Sequence, residues 1–382
     1  MTRLAIVGTG GMADYQARKF AEIGDCAITA CADRNADHAR DFARRFDIPY
    51  HCDAIRTLLD HGGFDAATCS VIDSQHARIC EAILGRSLPV FCEKPLARGV
   101  AECERLARLA AVTPVPALVN FSKRNAPALH ALKAVLDEGE LGAIESVDAS
   151  YLQDWVASSR WGDWKSMPRW KWRLLPSESS SGVAGDLGSH LVDALLFLFG
   201  SLSAERPGKG LSLVEAMDAG FLPAEALPAE FMDSAAAPPL VEFTARATLP
   251  GGIPLTLRAS WIERGAADVF AISVRGSKGI ALLDLAKSRA SIEIRPAAAE
   301  MAGAPSIRRD GPAIPSTYER FIELTEAHIA GARRVRAAAD TDADVDAETG
   351  ANANADADYP TFERGLEVMR VLDSLIPGGL PK

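Results

Sequence analysis

The chain has 382 residues, 48% of them hydrophobic and 24% charged, a globular composition that excludes disorder of the whole and suits two domains better than one. Its net charge of −10 argues against a polyanionic partner such as nucleic acid. Much of that charge is local, held by Asp340, Asp342, Asp344, Asp346, Glu348, Asp356 and Asp358 with no intervening Lys or Arg, so it says little about a substrate.

Along the first third, short apolar stretches alternate with helical ones. Strands are expected over 4–7, 28–32, 66–72, 90–92 and 115–119, apolar on both faces as in a covered parallel sheet. Helices are expected between them, over 13–23, 36–46, 54–61, 75–86 and 99–111. This βαβ repetition predicts a doubly wound α/β domain over residues 1–122.

The pattern then changes. A helix over 126–138 ends at Gly139, and a turn and strand follow in GELGAIESVDASYL. A loop dense in Trp, Ser and Gly occupies 155–185, and a helix over 187–199 stops at Gly200. Alternating stretches at 241–249, 255–261, 269–275 and 279–283 read as antiparallel strands joined by PGG and GSKG turns. The 201–240 insertion has no clear pattern. Helices over 317–329 and 361–374 close the chain, separated by the acidic tract 337–358, which reads as a disordered loop. Residues 123–382 are therefore expected to form an α+β domain with a largely antiparallel or mixed open sheet.

No apolar run reaches the roughly 18 residues needed to span a bilayer. The N-terminus enters a strand directly and lacks the pattern of a signal peptide, so a cytoplasmic location with no membrane partner is expected. The seven cysteines, at 26, 31, 52, 69, 80, 92 and 103, are odd in number and contain no CxxC pair. Neither a disulfide framework nor a metal site is indicated, and the thiols read as small buried hydrophobes.

Gly8-Thr9-Gly10-Gly11-Met12-Ala13 has the form G-x-G-x-x-A between a strand and a helix, the context of a dinucleotide fingerprint. Gly8 permits the tight turn, Gly10 lets backbone approach a pyrophosphate, and Ala13 allows close packing. The helix N-terminus supplies N–H donors and a positive dipole end. Asp33 ends the second strand, where a carboxylate accepts hydrogen bonds from a ribose. That favours NAD over NADP, although Arg34 beside it can pair with a 2′-phosphate and leaves NADP open.

Glu93-Lys94-Pro95 follows a parallel strand at the edge where open α/β sheets bind ligands. Alone, Lys94 reads as a solvated strand end. In the stretch 185–193 (GDLGSHLVD), Asp186, His190 and Asp193 stand at i, i+4 and i+7 and share one helical face. A histidine flanked by carboxylates is held in one tautomer and takes a proton more readily, which suits general acid–base work. Asp186 fits a helix cap equally well. Trp155, Trp161, Trp164, Trp170 and Trp172 crowd the preceding segment. They suit either stacking on sugar C–H faces, with Arg173 donating to hydroxyls, or packing of a core or interface.

Together, GTGGMA, His76, EKP, NFSKRN at 120–125, GELG at 139–142, GDLGSHLVD and the closing TFERGLEVMRVLDSL resemble the glucose–fructose oxidoreductase / inositol dehydrogenase / MocA family over nearly the whole chain. The resemblance implies a Rossmann domain followed by an α+β domain whose sheet forms a homodimer or homotetramer interface. It implies hydride transfer between NAD(P) and a carbohydrate or polyol CH–OH. Lys94, Asp186 and His190 match the family's catalytic set, and Trp172 and Arg173 join them on the substrate side. The cofactor side comprises Gly8, Gly10, Gly11, Met12, Asp33, Arg34, Ile72, His76, Glu93, Lys94 and Asn120. Ile72-Asp73-Ser74 stands where Thr-Pro-Asn is common, and Ser181–Gly185 replaces a plain glycine run. Two rival readings keep the fold: an NAD-dependent glycosidase with transient oxidation, and a non-enzymatic NAD-binding regulator.

Overall fold

The computed structural model describes all residues except 168–169, 171, 176–178, 180–181, 201–211, 224–237, 298–304, 340–358 and 377–382. Residues 337–339 of the tract expected as a loop close the helix Thr317–Ala339, while its acidic residues and the rest of that loop lie outside the described residues. By its contacts the chain divides into two compact units. The first comprises Met1–Ala97, Ala101–Asn120 and Pro315–Leu366; the second comprises Arg98–Val100, Phe121–Ile314 and Glu367–Lys382. The chain thus returns to the first unit after residue 314, a return that a boundary at 122 does not include.

In the first unit the strands are β1 (Thr2–Val7), β2 (Cys26–Ala32), β3 (Tyr50–Cys52), β4 (Ala66–Cys69), β5 (Val90–Glu93) and β6 (Ala117–Asn120). All pairings are parallel, in the order β3-β2-β1-β4-β5-β6. Chain direction across the sheet reverses between β1 and β4, the switch point at which such sheets open a binding crevice. The connecting helices are α1 (Gly11–Ala21), α2 (Ala36–Phe46), α3 (Ile55–His61), α4 (His76–Leu84) and α5 (Val100–Val112). Asn35 caps α2 by accepting from the N–H groups of Asp37 and His38 at 3.0 and 3.2 Å. One core cluster gathers Leu4, Phe20, Phe91, Leu118, Tyr318 and Phe321, the last two from the late-arriving helix Thr317–Ala339. Phe20, Phe91 and Tyr318 meet at centroid separations of 5.2–5.7 Å, and burying each ring contributes about 2–3 kcal/mol.

The second unit is built on an eight-stranded sheet ordered β14-β13-β12-β11-β7-β10-β9-β8. Here β7 is Ile144–Leu152, β8 Ser212–Phe221, β9 Leu240–Leu249, β10 Ile253–Ser260 and β11 Val269–Gly276. β12 is Gly279–Asp284, β13 Ser291–Pro296 and β14 Ile307–Asp310. β7 pairs parallel with β10, and every other pairing is antiparallel. Along β9, Val241, Phe243, Ala245, Ala247 and Leu249 are buried on one face, while Glu242, Thr244, Arg246 and Thr248 point the other way. The sheet packs against helix α6 (Pro127–Asp137) and the helix Ser189–Phe199. That helix is preceded by a wide π-type turn, Ala184–Gly188. A Cβ on Gly188 would stand 3.2 Å from both the Phe243 ring and Leu372 Cδ2, so those side chains would have to shift by a few tenths of an ångström. Among the described residues, no helix is long and apolar enough to cross a membrane.

Candidate active site

The glycine turn closes β1 against β2. Gly8 takes a positive φ of 88° and donates to Ala32 O at 2.8 Å, and a Cβ on it would lie 2.7 Å from Ser70 O. Beyond it, no side chain caps α1, and nothing lies within 4 Å of where a Cβ on Gly10 or Gly11 would stand. The turn therefore offers an exposed helix N-terminus facing open space, which is what a pyrophosphate requires. The Asp33 carboxylate is tied into the same turn. Oδ2 accepts from Thr9 N at 2.8 Å and Thr9 Oγ1 at 2.9 Å, while Oδ1 accepts from Asn35 N at 2.9 Å. Arg34 and Met12 are exposed beside it, and Ile72 is half-buried. These residues fit a dinucleotide.

Across the switch point, Glu93 ends β5 inside a buried polar chain. Its Oε1 accepts from Gln16 Nε2 at 2.6 Å and from Asn120 Nδ2 at 2.8 Å. Ser70 Oγ donates to Gln16 Oε1 at 2.7 Å, and Asn120 makes further bonds with the Tyr318 hydroxyl (2.8 Å) and Thr317 Oγ1 (3.2 Å). The chain braces the strand end from which the half-buried Lys94 emerges. His76 is buried, with Nδ1 2.8 Å from Pro95 O and Nε2 3.1 Å from Val71 O. Two carbonyl acceptors suit a ring that donates from both nitrogens. Burial opposes the charge, yet Cys69, Asp73 and the two carbonyls raise its pKa above the usual histidine value. His76 and Asn120 thus stand within the wall of the turn.

In the second unit, His190 opens the helix Ser189–Phe199 and is buried between two rings. Its centroid lies 6.0 Å from those of Phe121 and Tyr151. Tyr151, on β7, is held well above its usual pKa by burial first, then by Asp268, to which it hydrogen-bonds, and by Asp186. Lys123 Nζ stands 4.5 Å over the Tyr151 ring and 3.5 Å from Asp268 Oδ2. Asp186 sits in the π-type turn, with its Oδ2 3.5 Å from Arg173 Nε. The Arg173 guanidinium lies over the Trp172 and Trp170 rings at 4.5 and 5.1 Å.

Of the three residues expected to share one face, Asp186 lies in the π-type turn, and His190 and Asp193 lie in the helix that follows. A wide turn changes the angular spacing ahead of His190. Asp193 is engaged by Arg124, with Nε to Oδ2 at 2.8 Å and Nη2 to Oδ1 at 2.9 Å. The tryptophans divide too. Trp155 and Trp164 are buried, Trp155 stacking on Trp170 at 5.5 Å, whereas Trp172 underlies Arg173. The sequence reading did not assign roles to Lys123, Arg124, Tyr151 or Asp268. The NFSKRN motif contains the first two, and the alternation of β7 places Tyr151 on its buried face without marking it as functional. Lys94 belongs to the first unit, and Asp186 and His190 to the second.

A six-stranded parallel sheet with this glycine turn is the architecture of an NAD(P)-binding Rossmann oxidoreductase. Residues 2–121 match the oxidoreductase family with an NAD-binding Rossmann fold, and residues 129–282 match the GFO/IDH/MocA C-terminal domain. The chain belongs to the GFO/IDH/MocA family. It is 30% identical over 173 residues to levoglucosan dehydrogenase from Pseudarthrobacter phenanthrenivorans, covering 45% of this chain and 43% of that protein. It is 27% identical over 202 residues to glucose-6-phosphate 3-dehydrogenase from Bacillus subtilis, covering 53% and 55%. The chain thus spans about half the length of these relatives. Among solved structures, levoglucosan dehydrogenase in complex with NADH and levoglucosan superposes with a TM-score of 0.71 at 20% identity, covering 98% of this chain and 96% of that one. An inositol dehydrogenase homolog with NAD+ from Azotobacter vinelandii gives 0.74 at 18% identity, covering 98% and 94%. At these identities the likeness is one of fold.

Proposed function

We propose that the protein is an NAD-dependent dehydrogenase that oxidises a secondary or anomeric hydroxyl of a sugar, polyol or inositol. The observation that carries this reading is the grouping of His190, Tyr151, Asp186 and Arg173 around one helix start, where packing alone has no use for so many polar groups. His190 accepts the hydroxyl proton as general base. Lys94, as ammonium, stabilises charge developing on the substrate oxygen. Asp186, held by Arg173, orients the substrate or His190. Bound nicotinamide cofactor supplies the hydride acceptor. Gly8, Gly10, Gly11 and Met12 cradle its phosphates. Asp33 accepts from the adenosine ribose, which favours NAD, while exposed Arg34 is the residue that would admit NADP. Relatives named levoglucosan dehydrogenase, glucose-6-phosphate 3-dehydrogenase and scyllo-inositol 2-dehydrogenase support the substrate class.

The test is a panel of inositols, aldoses and glycosides assayed for NADH and NADPH formation with the wild type and Lys94→Ala. Expected is NADH formation with at least one polyhydroxylated substrate, lost in the variant. Glycoside cleavage without net NADH would replace this reading with transient oxidation, and NAD binding without turnover of any member would overturn it.

A further inference from the structure

Cys69 ends β4, Cys92 lies on β5 and Cys80 sits within α4, which packs on both strands. β4 and β5 pair in parallel with Cys69 directly opposite Cys92, so the two thiols leave neighbouring strands at the same level. The three sulfurs lie within 4.8 Å of one another, and all three residues are 0% exposed. A trigonal ion with metal–sulfur bonds of about 2.3 Å needs sulfurs about 4 Å apart, a triangle this cluster matches with minor movement.

We propose that Cys69, Cys80 and Cys92 form a three-thiolate site for a thiophilic d10 metal ion, monovalent copper or a zinc-group divalent cation. Soft sulfur ligands select these ions over hard cations, and three ligands with no carboxylate nearby in the set exclude an oxygen-coordinated one. Binding is an exchange without oxidation or reduction: three S–H bonds break, three metal–sulfur bonds form, and three protons leave. It also changes the turn carrying Lys94. Cys92 Sγ now donates towards Glu93 O at 3.2 Å and Leu96 O at 3.9 Å, and a metal-bound thiolate has no proton for either carbonyl.

The full chain, reduced and stripped with chelator, is titrated anaerobically with Cd(II), and separately with Cu(I) buffered by a competing chelator. Expected is one retained ion per chain in at least one arm, a thiolate-to-metal charge-transfer band, and about three protons released per ion. The arm that loads identifies the charge class. Cys69→Ala, Cys80→Ala and Cys92→Ala each weaken retention at least tenfold, while a Cys26→Ser/Cys52→Ser/Cys103→Ser variant keeps it. X-ray absorption of the loaded wild type counts three sulfurs and does not depend on any variant folding. Retention of neither ion, equal retention in the three alanine variants, or a shell of nitrogen and oxygen overturns the proposal.

Discussion

Arg173 Nε stands 3.5 Å from Asp186 Oδ2, both side chains 18% exposed, with the guanidinium held over two tryptophan rings. An arginine fixed by stacking has lost its rotamer freedom before it meets the carboxylate, so it orients Asp186 at little further entropic cost. Arg173→Ala is expected to lower kcat/KM by roughly 10- to 100-fold, the cost of a misplaced catalytic group, with a small change in melting temperature. Arg173→Lys keeps the charge but loses the planar fork, and its activity should fall between the two. Wild-type kinetics in both variants would remove Arg173 from the site.

Arg124 and Asp193 form a different pair. They are 4% and 1% exposed, joined by two short bonds, and Arg124 also lies 4.3 Å from the Phe197 ring. Removing one member of such a buried pair strands the other, at about 3–5 kcal/mol. Asp193→Ala should therefore unfold at clearly lower denaturant, and Arg124→Leu likewise. The double variant Asp193→Leu/Arg124→Leu should recover much of the loss, because no charge is then left buried. A double-mutant cycle that is additive would mean that the pair is not coupled.

These two carboxylates illustrate what the sequence could and could not disclose. Asp186 and Asp193 are both found by helical spacing from His190, but spacing assumes 3.6 residues per turn throughout. The π-type turn at Ala184–Gly188 breaks that assumption, and the guanidinium that engages Asp193 comes from a segment some seventy residues earlier. The parallel strands β1, β2, β4, β5 and β6 were legible because each is an apolar run between punctuated helices. β3 was not, since Tyr50–Cys52 has three residues and no alternation to count. β8 lies in the unpatterned insertion, and Asp284–Asp310 alternates too briefly and with too many charges to announce β13 and β14. The thiol cluster was invisible for a topological reason. Its members belong to two strands and a crossover helix, and only parallel pairing in register makes them neighbours.

Asp154, at the end of β7, gives a stability dependence on pH. Its carboxylate is 2% exposed and accepts from Arg160 Nε at 2.7 Å, Arg160 Nη2 at 3.0 Å and Gly265 N at 3.1 Å. The Arg160 hydrogen bonds, working against burial, hold its pKa down to about 2. A carboxyl with a depressed folded pKa stabilises the fold fully above the unfolded value, near 4, and loses that contribution as pH falls through about 2. With Arg160 40% exposed the pair is partly screened, so Asp154→Asn should cost about 1–2 kcal/mol at pH 7. Chemical denaturation of both proteins between pH 7 and pH 2 should show the difference shrinking at the acid end. A constant difference across that range would mean that Asp154 is not ionised in the fold at neutral pH.

The identity of the general base can be separated from its neighbours by pH. Two groups near the helix start can move a proton, His190 and Tyr151, with ring centroids 6.0 Å apart. Tyr151 is kept protonated by burial and by Asp268 and Asp186, far above neutral pH, so it serves as a donor and cannot accept a proton under working conditions. Imidazole is the group of the pair that changes charge around neutrality. If His190 accepts the hydroxyl proton, kcat/KM for oxidation falls as pH drops and the ring is occupied. Reduction of the corresponding ketone then shows the opposite slope, because it needs the proton in place. His190→Asn retains a hydrogen-bonding group of similar reach but cannot titrate there. Its oxidation rate should fall by roughly 100- to 10,000-fold and lose the acid limb. Tyr151→Phe should reduce the rate while keeping that limb, since it removes a donor and not the titrating group. An acid limb that persists in His190→Asn and disappears in Tyr151→Phe would transfer the base to the phenol, and one that persists in both would move it to Lys94.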